Sequence, residues 1–288
     1  MIFDSHVHTH YSHGDSEVYR VILGAIKKNI QGVGFSEHFH YNYFSDTGWP
    51  TINGNEVKGT VSENFQLYYT AAQKAKEEFK DKINILVGVE IDFLPGINKK
   101  IKAAIEEKVF KGKSSTDQKK GYEFDFIMGS THFLGQPLKY FTDYKTQGED
   151  WLINEYFNSI EEAIKSKLFD IIAHPELIKY YIDKKFSDYR QRIETIVKLL
   201  AEYQVAVDVN TDYLLDPNVH TVEVSRMNPG VEMIKLCLKN NIPLVLGSDA
   251  HRPEKIALNF EQTIFFLKKL GVKKMYYIQN RKLIPYKI

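Results

Sequence analysis

Short apolar runs alternate along this chain with longer stretches in which apolar residues return every three or four positions. An unbroken or alternating apolar run of this length marks a strand, and the longer period marks one face of a helix. The runs are "MIFDSHV" at 1–7, "GVGFSEH" at 32–38, "INILVGVEIDF" at 83–93 and "FDFIMGSTHF" at 124–133. They continue with "LFDIIAHP" at 168–175, "VAVDVNT" at 205–211, "IPLVLGSDAH" at 242–251 and "KKMYYIQN" at 273–280. Helices are predicted over 16–29, where Val18, Val21, Ile22, Ala25 and Ile26 share a face, and over 62–80. After Glu149 the stripe is Leu152, Ile153, Tyr156, Phe157, Ile160 and Ile164, and comparable stripes run through 189–203, 231–240 and 256–270.

Strands alternating with helices of this length imply parallel pairing through right-handed crossovers. Seven of the runs end in polar residues: His6 and His8, Glu37 and His38, Glu90, His132, His174, Asn210, and Asp249 with His251. Strand ends converge on one mouth in a barrel, whereas an open sheet gathers ligands at a switch point, so a closed or nearly closed α/β barrel is expected. No linker divides the chain, and residues 1–288 read as one domain. Two stretches interrupt the alternation. Residues 40–61 mix Gly, Pro and Asn with Tyr41, Tyr43, Phe44 and Trp49, which suits either an active-site loop or a surface excursion. Residues 99–120 are Lys-rich and read as a solvated surface segment.

Composition narrows the function. The 288 residues carry 38 Lys and Arg against 37 Asp and Glu, a net charge of +1, which argues against a nucleic-acid footprint. No apolar stretch approaches the roughly 20 residues that span a bilayer, and the N-terminus has no signal-peptide core, so a cytoplasmic protein is expected. The single Cys237 excludes an intrachain disulfide and lies in a helical pattern as a buried thiol.

Histidine placement is the departure from this bland picture, with four of the ten in the first 13 residues. His6 and His8 are one residue apart, and the two-residue period of a strand turns both imidazoles to the same side. His13 follows in a tight loop. Glu90 ends an apolar strand where an unpaired buried carboxylate would be costly, and a cation would remove that cost. Asp249 and His251 repeat the one-residue spacing. Together with His38, His132 and His174 these residues form a nitrogen and oxygen donor set suited to Zn²⁺, Mn²⁺ or Fe²⁺. It exceeds the needs of one ion, and Glu90 is the candidate bridge. Clustered cations acidify water and neutralise phosphate oxygens, so hydrolysis is the reaction this donor set suggests.

The motifs "DSHVHTHYSHG" at 4–14, "GFSEHF" at 34–39, "GVEIDF" at 88–93, "GSTHF" at 129–133, "AHPEL" at 173–177, "VDVNT" at 207–211 and "LGSDAHRPEKI" at 246–256 resemble the PHP superfamily, in particular its histidinol-phosphatase branch. The resemblance spans almost the whole chain and implies a distorted seven-stranded β/α barrel with three divalent transition-metal ions. It assigns His6, His8, Glu90 and Asp249 to the first cation. Glu90 would bridge to a second held by His132 and His174, and His13, His38 and His251 would hold the third, with Asp15 as the substitute for His13. The implied reaction is hydrolysis of L-histidinol phosphate to L-histidinol and phosphate in histidine biosynthesis. Lys179, Arg252 and Arg226 are the candidates for phosphate contact. Glu90, Asp249 and His251 are the candidate catalytic residues, the last two for the leaving group's proton. Another small phosphate monoester or a nucleotide is the alternative substrate, and a homo-oligomer is left open. An amidohydrolase would need a metal-bridging lysine at a mid-barrel strand end, and there is none. A degenerate scaffold domain would not keep all nine ligand types.

Overall fold

The computed structural model describes residues 1–12, 14–39, 61–96, 99, 101–103, 109–110, 113–114, 122–134, 139–212 and 227–288. His13, Arg226, the aromatic loop as far as residue 60 and most of the Lys-rich segment lie outside the described residues.

Nine strands form one sheet in chain order: β1 (Phe3–Val7), β2 (Gly32–Phe39), β3 (Asn84–Asp92), β4 (Phe126–Ser130), β5 (Ile171–Ile172), β6 (Ala206–Asn210), β7 (Leu244–Gly247), β8 (Lys274–Gln279) and β9 (Lys282–Lys287). Every pairing through β8 is parallel, and β9 returns antiparallel to β8. The interleaved helices are α1 (Val18–Lys27), α2 (Val61–Glu78), α3 (Glu149–Lys165), α4 (Phe186–Tyr203), α5 (Val231–Lys239) and α6 (Phe260–Lys269). None of the described helices is long and apolar enough to cross a membrane. The strands are apolar on both faces because helices cover the outside and side chains fill the inside. Phe126 is such a filler. A methyl group on Gly88, its partner in register on β3, would meet the ring at 2.4 Å, so glycine makes room for it.

The seven parallel strands β1 to β7 close only near the mouth. There the His8 amide donates to the Ala250 carbonyl at 2.9 Å, and Val7 bridges Ala250. Nearer the base, β8 occupies the neighbouring position on β7, and Phe3 of β1 stacks on Tyr277 with ring centroids 3.9 Å apart. This is the nearly closed α/β barrel expected from the alternation, with the distortion that the family resemblance implies.

Three local features differ from the sequence reading. The β8–β9 hairpin was not anticipated in full. Its turn is Asn280-Arg281, both left-handed at φ 51° and 60°, and it carries no glycine to signal it. The stripe over 256–270 is broken, because Ala257 and Asn259 take φ of 52° and 62° and the helix proper begins at Phe260. Helix α4 starts earlier than its stripe, where the Asp188 carboxylate accepts the Lys185 amide at 2.9 Å. Cys237 is fully buried, and burial pushes its thiol up to about 12.

The hairpin turn reaches under the barrel and is anchored there by Asp125. That buried carboxylate accepts the Val87 amide at 2.8 Å, the Asn280 amide at 3.1 Å and the Lys76 ammonium at 2.5 Å. Asp125→Ala would leave these donors without their acceptor. It is expected to destabilise the protein by about 2 to 4 kcal/mol, read as a lower denaturant midpoint with little change in slope. A midpoint equal to the parent's would show that the anchor is dispensable.

Candidate metal centre

The parallel register brings the polar strand ends to one level. Glu90 on β3 lies opposite His38 on β2, and His6 on β1 and His8 just past its end reach the same carboxylate. His6, His8, His38, Glu90 and His174 are all buried. Around the Glu90 carboxylate, His38 Nδ1 lies at 3.1 Å, His174 Nε2 at 3.1 Å, His6 Nε2 at 3.3 Å and His8 Nε2 at 3.5 Å. Asp249, two residues past the end of β7, lies 3.1 Å from His8 Nε2 and 3.5 Å from His6 Nε2.

Among the described residues, four overlapping groups have ligand atoms within 4.8 Å of one another: His6, His8 and Glu90; His6, His174 and Asp249; Glu90, His132 and His174; and His8, His38 and His251. This donor set can coordinate one or more divalent ions, and its imidazole-rich chemistry fits a transition metal better than Ca²⁺ or Mg²⁺. Glu90 belongs to two of the groups, as a bridging carboxylate must.

The electrostatics describe a place built for positive charge. Burial works against charging Glu90, yet His6, His174 and His132 hold its carboxyl well below the usual range. Burial likewise opposes charge on His6, but Asp249, Glu90 and Asp208 raise it well above its ordinary value. His8 is raised to about 9 against burial by Asp249 and Glu37, and His132 to about 9 by Asp92 and Glu90. His251 goes the other way, lowered to about 4 by burial and by His8. The carboxylates thus favour positive charge on His6, His8 and His132, the same sign of charge that a cation would supply.

Further carboxylates hold this arrangement from outside; of these the sequence reading marks only Glu37, as a strand-end polar residue and not as a ligand. Asp208 accepts from His6 Nδ1 at 2.9 Å, and Asp92 from His132 Nδ1 at 2.7 Å. Glu37 accepts the Thr9 amide at 3.0 Å and the hydroxyls of Thr9 and Ser12, so it fixes the loop after His8. Asp4, pushed up to about 6 by burial, accepts from the Ser248 amide at 2.9 Å, the Ser248 hydroxyl at 2.6 Å and the Ala257 amide at 2.8 Å. The available signal was the two-residue spacing that repeats in Asp4-x-His6, Glu90-x-Asp92 and Asp208-x-Asn210. Two ligands sit in strained backbone, His174 at φ 27° and Asp249 at φ 54°. The His174 carbonyl accepts from Tyr156 Oη at 3.2 Å and Asn228 Nδ2 at 3.3 Å, and Asn210 Nδ2 donates to Asp249 at 3.0 Å.

The structure brings His6, His8, His38, Glu90, His132, His174, Asp249 and His251 together at the mouth, while His13 and Arg226 are outside the described residues. Asp15 is about half exposed and in none of the four groups, its carboxylate paired with Arg252 Nε at 2.6 Å. Lys179 donates to the Met227 carbonyl, lies 5.2 Å from the Tyr180 ring centroid and is lowered by burial despite Glu176.

Fold and site define a β/α-barrel protein with a site at the C-terminal ends of its strands that can coordinate one or more divalent ions. A family model described as "PHP domain" matches residues 4–212, and the chain belongs to that family. It is 25% identical over 98% of both chains to a protein of Deinococcus radiodurans named probable histidinol-phosphatase. It is 24% identical to a Bacillus subtilis histidinol-phosphatase over 90% of this chain and 96% of that one. Among solved structures it is similar to a Lactococcus lactis histidinol phosphate phosphatase complexed with zinc, L-histidinol and phosphate, with a TM-score of 0.74, 20% identity and 98% of both chains covered.

The raised imidazoles set a pH dependence. A histidine raised from 6.5 to about 9 stabilises the fold fully below pH 6.5 and ceases to as pH climbs through about 9. Chelator-treated protein is therefore expected to lose thermal stability across that window, while Zn²⁺ uptake strengthens and releases protons. A melting temperature that stays flat or rises across the window, measured by scanning calorimetry on ion-free protein, would contradict this.

Proposed function

We propose that the protein is a metal-dependent phosphoric monoester hydrolase that converts L-histidinol phosphate to L-histidinol and phosphate, its 288 residues acting as one metallophosphoesterase domain. The observation that carries this reading is the buried Glu90 carboxylate, shared between two ligand groups and ringed by imidazoles at the mouth of a PHP barrel. The Lactococcus lactis protein of the same fold was solved with the product pair of this reaction and zinc, which supports the substrate.

In this reading three ions, Zn²⁺, Mn²⁺ or Fe²⁺, are held by His6, His8, Glu90 and Asp249, by Glu90, His132 and His174, and by His13, His38 and His251. His8 stands near enough to His38 and His251 to serve the last group too. Bound divalent cations supply charge that neutralises phosphate oxygens and lower the pKa of a nucleophilic water. The chain's own residues do the rest. Asp249 and His251, with side chains 13% and 28% exposed, are assigned to meet the leaving oxygen and manage its proton; exposure permits the role without selecting it, since His132 is 16% exposed. Lys179 and Arg252 each follow a ligand segment and are assigned to the outer phosphate oxygens, with Arg226 as the third candidate. Arg252 would exchange its ion pair with Asp15 for the phosphate, and a dianion beside Lys179 would favour the ammonium that burial disfavours.

Protein freed of metal and reloaded separately with Zn²⁺, Mn²⁺ or Fe²⁺ is to be assayed on a panel of phosphate monoesters. The highest kcat/KM is expected for L-histidinol phosphate, with activity lost on chelation and restored by metal. Glu90→Gln is expected to retain less metal and to lose activity. Full activity without metal would refute the mechanism, and a far better monoester would move the assignment to another PHP phosphoesterase.

Replacing a phosphate-holding Lys179 or Arg252 by Met removes a charge-assisted hydrogen bond worth about 1.5 to 3 kcal/mol. The expected result is about a 10- to 150-fold loss in kcat/KM with metal content intact and weaker inhibition by inorganic phosphate. Unchanged kinetics in both variants would remove them from the phosphate site.

A further inference from the structure

Two imidazoles of the centre, His6 and His132, are held from behind by carboxylates that belong to no ligand group. In both, the carboxylate takes the Nδ1 hydrogen, which leaves Nε2 as the ring's ligand atom. For His6 this is directly visible: Nδ1 is 2.9 Å from Asp208, while Nε2 lies 3.3 Å from Glu90 and 3.5 Å from Asp249. The partners come from different strands. Asp92 follows Glu90 by two residues on β3, so one face of one strand supplies both the candidate bridging carboxylate and the support for His132, two residues past the end of β4. Ser130 Oγ also donates to Asp92, at 3.4 Å.

Asp208 has farther to reach. It sits on β6, and His6 sits on β1, with β7 between them. Its carboxylate crosses β7 at Gly247, where a methyl group would stand 2.5 Å from Asp208 Oδ1 and 2.5 Å from His6 Cβ. The missing side chain at Gly247 is thus the passage through which the two residues meet. A contact this confined fixes the ring's orientation as well as its tautomer.

The two supports feed different groups. His6 shares groups with His8 and Glu90 and with His174 and Asp249, whereas His132 shares one with Glu90 and His174 only. We propose that Asp208 and Asp92 are positioning residues that turn Nε2 of His6 and of His132 toward separate cation positions, so that the centre's ions rest on independent supports. The proposal rests on the reading of this cluster as a metal centre, and it concerns metal affinity, with no dependence on which ester is hydrolysed.

The test is a zinc titration of metal-free protein against a chromophoric chelator, for the parent, Asp92→Asn, Asp208→Asn and Gly247→Ala. Outer partners of this kind contribute about 10- to 100-fold in metal affinity. Asp92→Asn and Asp208→Asn are each expected to weaken one zinc equivalent by that factor and leave the others near the parent's. The double variant is expected to show both losses. Gly247→Ala is expected to reproduce the Asp208→Asn loss although both members of the pair are present. Ring ¹⁵N spectra of the zinc-loaded parent are expected to show His6 and His132 protonated at Nδ1. Parent-like zinc affinity in an aspartate variant overturns the role of that residue. An equal loss at every equivalent in both variants overturns the proposal, because it marks general loosening of the fold. Absence of L-histidinol phosphate turnover would refute the proposed reaction and leave these titrations unaffected, while full turnover with unshifted zinc affinities would refute only the positioning roles.

Discussion

A carboxylate with no access to water has to be matched by positive charge, and Glu90 sits almost fully buried where three ligand-bearing strand ends meet it. The barrel answers with imidazoles from β1, β2 and the end of β5, all within 3.5 Å of its oxygens. Apolar packing alone would not call for that convergence. A carboxylate at this depth is costly unless the strands hold their register, because a slip of one residue on β2 or β3 would turn Glu90 or His38 out of the centre. Charge balance and strand register are therefore one condition.

The condition spreads outward. Imidazoles that face a cation must be held from behind, and Asp92, Asp208 and the Asp249 carbonyl, 2.9 Å from His251 Nδ1, do so. Asp249 and His174 reach the centre only in left-handed backbone, a conformation that costs on the order of 1 to 3 kcal/mol at each non-glycine residue. The hydrogen bonds of Asp4 to Ser248, and of Tyr156 and Asn228 to the His174 carbonyl, hold the chain in those shapes. Buried polar groups that would otherwise weaken the core are spent on geometry at the mouth.

The α/β barrel was legible because its signal is periodic. The runs around Phe35, Leu86 and Val245 are apolar on both faces, and helices α3 and α4 carry unbroken stripes. The candidate ligands were legible as a cluster because His, Glu and Asp at the ends of apolar runs are expensive without a partner. Their supports were not, since Asp208 and Asp92 inside "VDVN" and "EIDF" look like ordinary polar positions until the crossing over Gly247 is seen in three dimensions. The β8–β9 hairpin escaped for a local reason. Asn280 and Arg281 adopt the left-handed turn without glycine, and Pro285 in β9 argues against a strand unless it is an edge, which β9 is.

That hairpin explains why seven strands can serve. A barrel sealed along its whole height between β1 and β7 would have to bring Phe3 against the start of β7, but β8 stands there, packed on Phe3 through Tyr277. The main-chain seam is left to the mouth, where His8 donates to Ala250 at 2.9 Å and Ala250 to His6 at 3.4 Å. The residues on either side of that seam are His6 and His8, Asp249 and His251. The barrel is thus closed through the same segments that carry its ligands. His6 Nε2 and the Asp249 carboxylate face each other across that seam at 3.5 Å, so closing the barrel and bringing the candidate ligand groups together depend on the same segments.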